Sequence, residues 1–68
     1  MLTRAVRGAS ARPGLLRVTV FFRGAAPLVY QNVEAIVSGG WFLSLIGADA
    51  TDYLVTETVA ELALEEQG

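Results

Sequence analysis

Two apolar runs meet at Ser38-Gly39-Gly40, and this short stretch constrains the fold more than any other part of the chain. Residues 33–37 precede the glycines and residues 41–46 follow them. Glycine has no Cβ and reaches positive φ without steric cost, so a glycine pair between two β-rich runs is typical of a β-hairpin turn. The chain is therefore predicted to fold around an antiparallel pair of strands.

The size and composition of the chain favour association with other protein. Its 68 residues allow one domain, and a domain of this size buries only about 60% of the surface that its unfolded chain exposes. Apolar residues make up 53% of the chain, which is more than so thin a core encloses. Since cysteine is also absent, no disulfide can staple the fold. We expect a subunit of a homo-oligomer or of a larger assembly.

Charge is divided between the two halves of the chain, although the net charge is only −2. Every basic residue is an arginine and precedes every acidic residue. Two such poles favour head-to-tail or arm-to-neighbour contacts between copies, and an acidic face that is simply solvated is the alternative. The arginines are Arg4, Arg7, Arg12, Arg17 and Arg23, and the acids are Glu34, Asp49, Asp52, Glu57, Glu61, Glu65 and Glu66.

Residues 1–14, MLTRAVRGASARPG, are predicted to be a basic, flexible interaction arm, and residues 15–68 a single small β domain. The arm has too few large apolar residues to define a buried face, and Arg4, Arg7 and Arg12 are its predicted contact residues. A mitochondrial presequence shares this composition and is the alternative for the stretch. No run of about 18 apolar residues occurs, so no membrane span is predicted.

Residues 15–23 alternate more regularly than any other segment and predict a first, half-buried strand. Proline lacks the N–H that a ladder needs, so residues 24–27 are predicted to end this strand. The inward side chains are Leu16, Val18, Val20 and Phe22, and the outward ones are Arg17, Thr19, Phe21 and Arg23.

A second strand is predicted at residues 28–37, where the alternation is imperfect. A bulge or bend near Gln31-Asn32 lets Tyr30 and Val33 both point inward, and asparagine tolerates the backbone angles that this requires.

Two further strands are predicted at residues 41–46 and 53–56, separated by a turn at residues 47–52. The last segment fits two structures. Thr58 and Glu61 have the spacing of a capping box and indicate a short helix, whereas Leu62 and Leu64 alternate with acids as in a strand. We favour a fifth strand. The predicted fold class is therefore all-β, a small antiparallel meander or barrel of about five strands with an extended N-terminal arm.

The residue types argue against catalysis and cofactor binding. The three serines have neither histidine nor lysine as a base, and histidine is also the commonest metal ligand. Asp49 and Asp52 share one loop, but the loop matches no EF-hand pattern and two turn-forming aspartates are the simpler interpretation. We expect a protein that is not an enzyme and that holds no cofactor and no metal.

A nucleic-acid-binding domain is the alternative function. Arg17 and Arg23 could meet phosphates on one strand face while Phe21 stacks on a base of a single strand, and the basic arm could add phosphate contacts. Five basic groups against seven acidic ones, however, give a weak field for a polyanion.

Three stretches carry a resemblance: VYQNVEAI at residues 29–36, GGWFL at residues 39–43 and TVAEL at residues 58–62. Together they resemble short β-meander proteins encoded by phages of GC-rich bacteria, in which a Tyr-x-Asn-Val strand, a glycine hairpin and a closing Val-x-x-Leu strand recur. The resemblance implies a small phage-associated protein, such as a virion accessory or capsid decoration (cement) subunit, located in the cytoplasm or on the virion.

The function predicted from the sequence is that of a non-enzymatic structural or interaction protein that packs against other protein subunits. Phe21 and Phe42 are the predicted partner-facing rings, with Arg17 and Arg23 beside them, while Phe22 and Trp41 are assigned to the core or to an interface.

Overall fold

The computed structural model describes residues 11–48 and 50–68. These residues contain six β-strands and one 3₁₀ turn, joined by short connections. The predictions for Arg4, Arg7 and Asp49 fall outside these residues. The strands are β1 (Leu16–Phe22), β2 (Ala25–Val33), β3 (Ala35–Ser38), β4 (Phe42–Ile46), β5 (Thr51–Val55) and β6 (Val59–Glu66), and the 3₁₀ turn is Thr56–Thr58.

The strands form two antiparallel sheets of three strands, in the orders β2-β1-β6 and β3-β4-β5. The predicted all-β class is thereby confirmed. Between residues 11 and 68, leaving aside Asp49, the sheets do not close into a barrel. The chain is also not a simple meander, because β6 returns to pair with β1.

The turn between β1 and β2 is shorter than the sequence predicts. Arg23 and Gly24 alone separate the two strands, and Gly24 takes a positive φ of 78°. Pro27 lies inside β2 instead of ending β1. It is tolerated because β2 is an edge strand and its register against β1 slips nearby, so a missing N–H costs no ladder bond there.

The bulge predicted near Gln31-Asn32 is present. Between the pairs Leu16↔Val33 and Val18↔Tyr30, two residues of β2, Gln31 and Asn32, lie opposite the single residue Arg17 of β1. Asn32 takes a φ of 59°, and Tyr30 and Val33 are both buried. The extra residue restores the inward direction for both side chains.

The single strand predicted at residues 28–37 is wrong, because the segment divides between the two sheets. β2 ends at Val33 and β3 begins at Ala35. Between them the Glu34 N–H donates to the Ile46 carbonyl at 2.7 Å, so the chain already pairs with β4 at this corner. The bend at Asn32 redirects the strand before its alternation has ended, which explains why one run of sequence forms two strands.

The glycine hairpin is confirmed between β3 and β4. The Gly39 N–H donates to the Phe42 carbonyl at 2.8 Å, and Gly40 takes a φ of 83°. Trp41 lies in this turn and not in the strand that the sequence predicts from residue 41.

The last segment is a strand, as favoured, and not a helix. β6 pairs with β1 along its length, with Leu62 opposite Val20 and Leu64 opposite Val18. The Thr58 hydroxyl, which suggested a helix cap, donates instead to the Val55 carbonyl at 2.7 Å within the 3₁₀ turn.

The core lies between the inner faces of the two sheets. The β2-β1-β6 sheet contributes Val18, Val20, Tyr30 and Val33, and the β3-β4-β5 sheet contributes Leu43 and Leu45. Partly buried side chains surround them, namely Leu16, Phe22, Leu28, Ile36, Ala50, Leu54, Val59 and Leu62.

Candidate protein-contact surface

The outer face of the β3-β4-β5 sheet carries no charged residue. Directly opposite residues in a sheet share a face, so the register identifies its eight members. Asp52, the charged residue of β5, lies opposite the buried Leu45 and therefore belongs to the core side of the sheet. We call the outer side the uncharged face; it consists of Ala35, Val37, Phe42, Ser44, Ile46, Thr51, Tyr53 and Val55.

Large side chains on this face are open to solvent. Tyr53 is 69% exposed, and Val37 and Val55 are each nearly half exposed. Trp41, in the adjoining turn, is 73% exposed. A sheet that turned this face to water would carry polar side chains at these alternating positions, as antiparallel sheets commonly do.

Three aromatic rings form a row at the turn end of the face. The Phe42 ring lies between Trp41, at a centroid distance of 5.2 Å, and Tyr53, at 6.2 Å, in tilted or edge-to-face arrangements that aromatic pairs prefer. The ring also lies across Gly39, where an added Cβ would collide with it. The missing side chain of Gly39 leaves the space in which the Phe42 ring packs against the turn. Phe42 is therefore less exposed than Trp41 and Tyr53.

A shallow depression of about 280 Å³ lies among these rings. Its lining side chains carry two polar groups, the Tyr53 hydroxyl and the Trp41 indole N–H, and are otherwise apolar. Small-molecule sites are usually larger, about 300–1,000 Å³, and contain several placed polar groups. The depression therefore suits an apolar side chain of another polypeptide; its walls are Trp41, Phe42, Tyr53, Leu54 and Val55.

The four predicted surface residues do not form one surface. Phe42 lies on the β3-β4-β5 sheet, whereas Arg17 and Phe21 lie in β1 on the other sheet. Arg23, predicted to share the face of Arg17 and Phe21, lies in the β1-β2 turn because β1 ends at Phe22. Its Nε donates to the Glu57 carbonyl at 3.1 Å.

Acidic residues accompany the arginine and the phenylalanine of β1. Arg17 forms an ion pair with Glu65 across the strands, with Nη1 and Oε1 2.8 Å apart. Phe21, 39% exposed, lies opposite Glu61. A phosphate group would have to compete with Glu65 for Arg17 and would approach Glu61 as well, so this arrangement adds nothing to the prediction of nucleic-acid binding.

A buried polar cluster, which the sequence did not predict, fixes the start of the described chain. The Asn32 side-chain oxygen accepts hydrogen bonds from the Arg12 N–H and from Gln67 Nε2, both at 2.9 Å. The Asn32 N–H in turn donates to Gln67 Oε1 at 2.9 Å, and Gln67 Nε2 also donates to the Arg12 carbonyl at 2.8 Å. Residues 11–14, assigned by sequence to the arm, are thereby attached to the domain at Arg12.

Tyr53 belongs to the candidate surface but was not among the surface residues predicted from the sequence. The sequence predicts a strand at residues 53–56 and leaves the direction of the Tyr53 side chain open. The signal was the alternation of Thr51, Tyr53 and Val55 with Asp52 and Leu54.

The fold and this surface are the features from which the function is argued, since comparisons with known proteins identify no relative. No family model, curated protein or solved structure matches the chain. Within residues 11–48 and 50–68, no helix has the length and apolar character needed to cross a membrane. The same residues contain no group of three or more acidic side chains placed to hold a metal ion.

Proposed function

We propose that this chain is a non-enzymatic interaction protein that packs its uncharged face against another polypeptide. The observation that carries the proposal is the exposure of Tyr53 on this face and of Trp41 in the adjoining turn, beside eight strand residues that include no charge. A buried aromatic side chain removes roughly 150–250 Å² from water, so these two rings leave on the order of 200–350 Å² of surface exposed. With Val37 and Val55 added, the patch approaches the largest found on typical monomers, about 300–600 Å².

The chemistry of the face favours a protein partner. Trp and Tyr are enriched among the residues that dominate protein interfaces, and the core of an interface is depleted in charge. The tilted rings of Trp41, Phe42 and Tyr53 present apolar edges and a depression into which apolar side chains can pack. They present few polar groups to a small ligand.

The narrower form of the proposal is that the chain is a virion accessory or decoration subunit of a phage. It rests on the resemblance to small phage β-meander proteins predicted from residues 29–36, 39–43 and 58–62, although the pairing of β6 with β1 departs from a simple meander. Such a subunit must cover apolar surface by packing on neighbours, and the uncharged face suits that requirement.

Oxidative footprinting tests whether polypeptide covers the face. Trp41 and Tyr53 are labelled by hydroxyl radicals in an extract of the native source and in the purified chain at high dilution, and the modified peptides are quantified by mass spectrometry. We expect the extract to protect both rings several-fold, whereas Phe21, on the other sheet, changes little. Equal labelling of Trp41 and Tyr53 in the two samples would contradict the proposal.

A further inference from the structure

We infer that the polypeptide covering the uncharged face is a second copy of this chain, stacked face to face in a two-fold symmetric dimer. This inference rests on the proposed function and specifies its partner. Three features of the described residues support it: the distribution of charge, the shape of the aromatic end and the geometry of the sheet.

The distribution of charge favours contact between two copies through the uncharged face, because no like charges meet there. Each copy carries a net charge of −2, so like-charge repulsion opposes contacts through acidic surface. The outer face of the other sheet carries Arg17 together with Glu61 and Glu65, so one cation stands against two anions there. The eight residues of the uncharged face carry none, and they present no charge pattern that would select a foreign basic or acidic partner.

The aromatic end of the face combines a projection with a recess. Trp41 projects from the turn with 73% of its surface exposed, and one side of the ring also forms a wall of the depression of about 280 Å³. A two-fold interface uses the same patch on both subunits, so a patch that holds both a projection and a recess can be complementary to itself. In the proposed dimer the Trp41 ring of each copy enters the depression of the other.

The sheet geometry permits such stacking. Two copies of one sheet have the same handed twist, and sheets of equal twist pack face to face about 10 Å apart with their strands roughly aligned. The exposed side chains offer on the order of 300–500 Å² per copy, which is below the roughly 800 Å² per partner of a standard interface. We therefore expect a dimer that dissociates on dilution.

The test is analytical ultracentrifugation of the purified chain over a dilution series from roughly 1 μM to about 500 μM, a range that covers dissociation constants of weak complexes. Trp41 is the one tryptophan of the chain, so its fluorescence reports on this face alone. We expect the mass to rise from one chain to two with concentration, with a blue shift of Trp41 emission over the same range as the ring leaves water.

Matched variants assign the contact to the face. Tyr53→Lys and Val37→Lys each bury an unpaired positive charge on the contact face of both copies, and each is expected to weaken association at least about 10-fold. Phe21→Lys, a change of the same kind on the other sheet, is expected to leave it unchanged. Circular dichroism checks whether each variant is folded. If one of the two face variants fails to fold, the other still tests the contact.

Three results would overturn the inference. The first is a chain that stays monomeric at the highest concentration, and the second is a dimer whose formation leaves Trp41 emission unchanged. The third is a set of folded face variants that associate as tightly as the native chain. A monomeric pure chain whose Trp41 is nevertheless protected in the native extract would assign the face to a different polypeptide, leaving the proposed function intact.

Discussion

Asn32 shows how one residue can set both the path of the backbone and the closure of the domain. Its positive φ of 59° produces the bulge that turns Tyr30 and Val33 inward. Its side-chain oxygen accepts hydrogen bonds from Arg12 and Gln67, and its N–H donates to Gln67. Gln67 lies 35 positions after Asn32 in the sequence. Because Asn32 and Gln67 are 4% and 3% exposed, water cannot readily replace these bonds when they are lost.

Two substitutions of Asn32 separate these roles. Asn32→Gly keeps the positive φ accessible and loses the two bonds to the side-chain oxygen, for which we expect a loss of about 1–3 kcal/mol in the free energy of unfolding. Asn32→Ala loses the same bonds and also strains the backbone, so it should cost roughly 1 kcal/mol more. Urea denaturation measures both variants. Because glycine also costs about 0.4–1 kcal/mol through the unfolded chain, an Ala variant more stable than the Gly variant by that amount would show that the backbone angle contributes nothing.

The two sheets differ in their outer faces, although both are built from alternating strands. The β2-β1-β6 sheet carries Arg17 paired with Glu65 and Phe21 opposite Glu61, so this face mixes both signs of charge and remains compatible with water. The β3-β4-β5 sheet carries no charge on its outer face. The contrast at the level of the sheet locates the proposed contact surface on one side of the molecule.

The ion pair also bears on the alternative function. We expect the native chain to bind single-stranded DNA too weakly to detect by fluorescence anisotropy at low salt, because Glu61 and Glu65 offset Arg17. The double variant Glu61→Gln, Glu65→Gln removes two negative charges from this face, so it should bind single-stranded DNA more tightly than the native chain does. Its affinity should decrease as salt is added.

Arg17→Ala in the same double variant provides the control and should lower the affinity again. Tight binding by the native chain, with a steep dependence on salt, would instead favour the nucleic-acid alternative over protein contact.

The whole molecule has a small core and a large exposed apolar surface. Six buried apolar side chains form the centre of the core, whereas Trp41 and Tyr53 remain open to water. A second copy that binds only the folded chain stabilises it by mass action. The stability of the domain and its association should therefore be linked.

This linkage predicts a thermal midpoint that depends on protein concentration. The Tm of the native chain should rise by several degrees between dilute and concentrated samples, as measured by circular dichroism at matched heating rates, because dimerisation stabilises the folded state. The Tm of Tyr53→Lys should depend on concentration much less than that of the native chain. A native Tm that stays constant over the same range would argue against any dimer of useful affinity.

The sequence by itself determined the features that depend on local backbone preference and on the period of two. These are the strand at Leu16–Phe22, the hairpin at Gly39-Gly40 and the bulge at Asn32. Each follows from a glycine or asparagine that tolerates positive φ or from alternation within a few residues, so no distant contact is needed to recognise it.

Only the tertiary structure decided which strands pair and which faces remain open. The division of residues 28–37 at Glu34 depends on a bond to Ile46, and the polar cluster depends on Gln67 reaching Asn32. Tyr53 is exposed while Leu54 turns toward the core because the second sheet covers one side of β5 and not the other. Alternation defines two faces of a strand, but the choice between them is made by partners far along the chain.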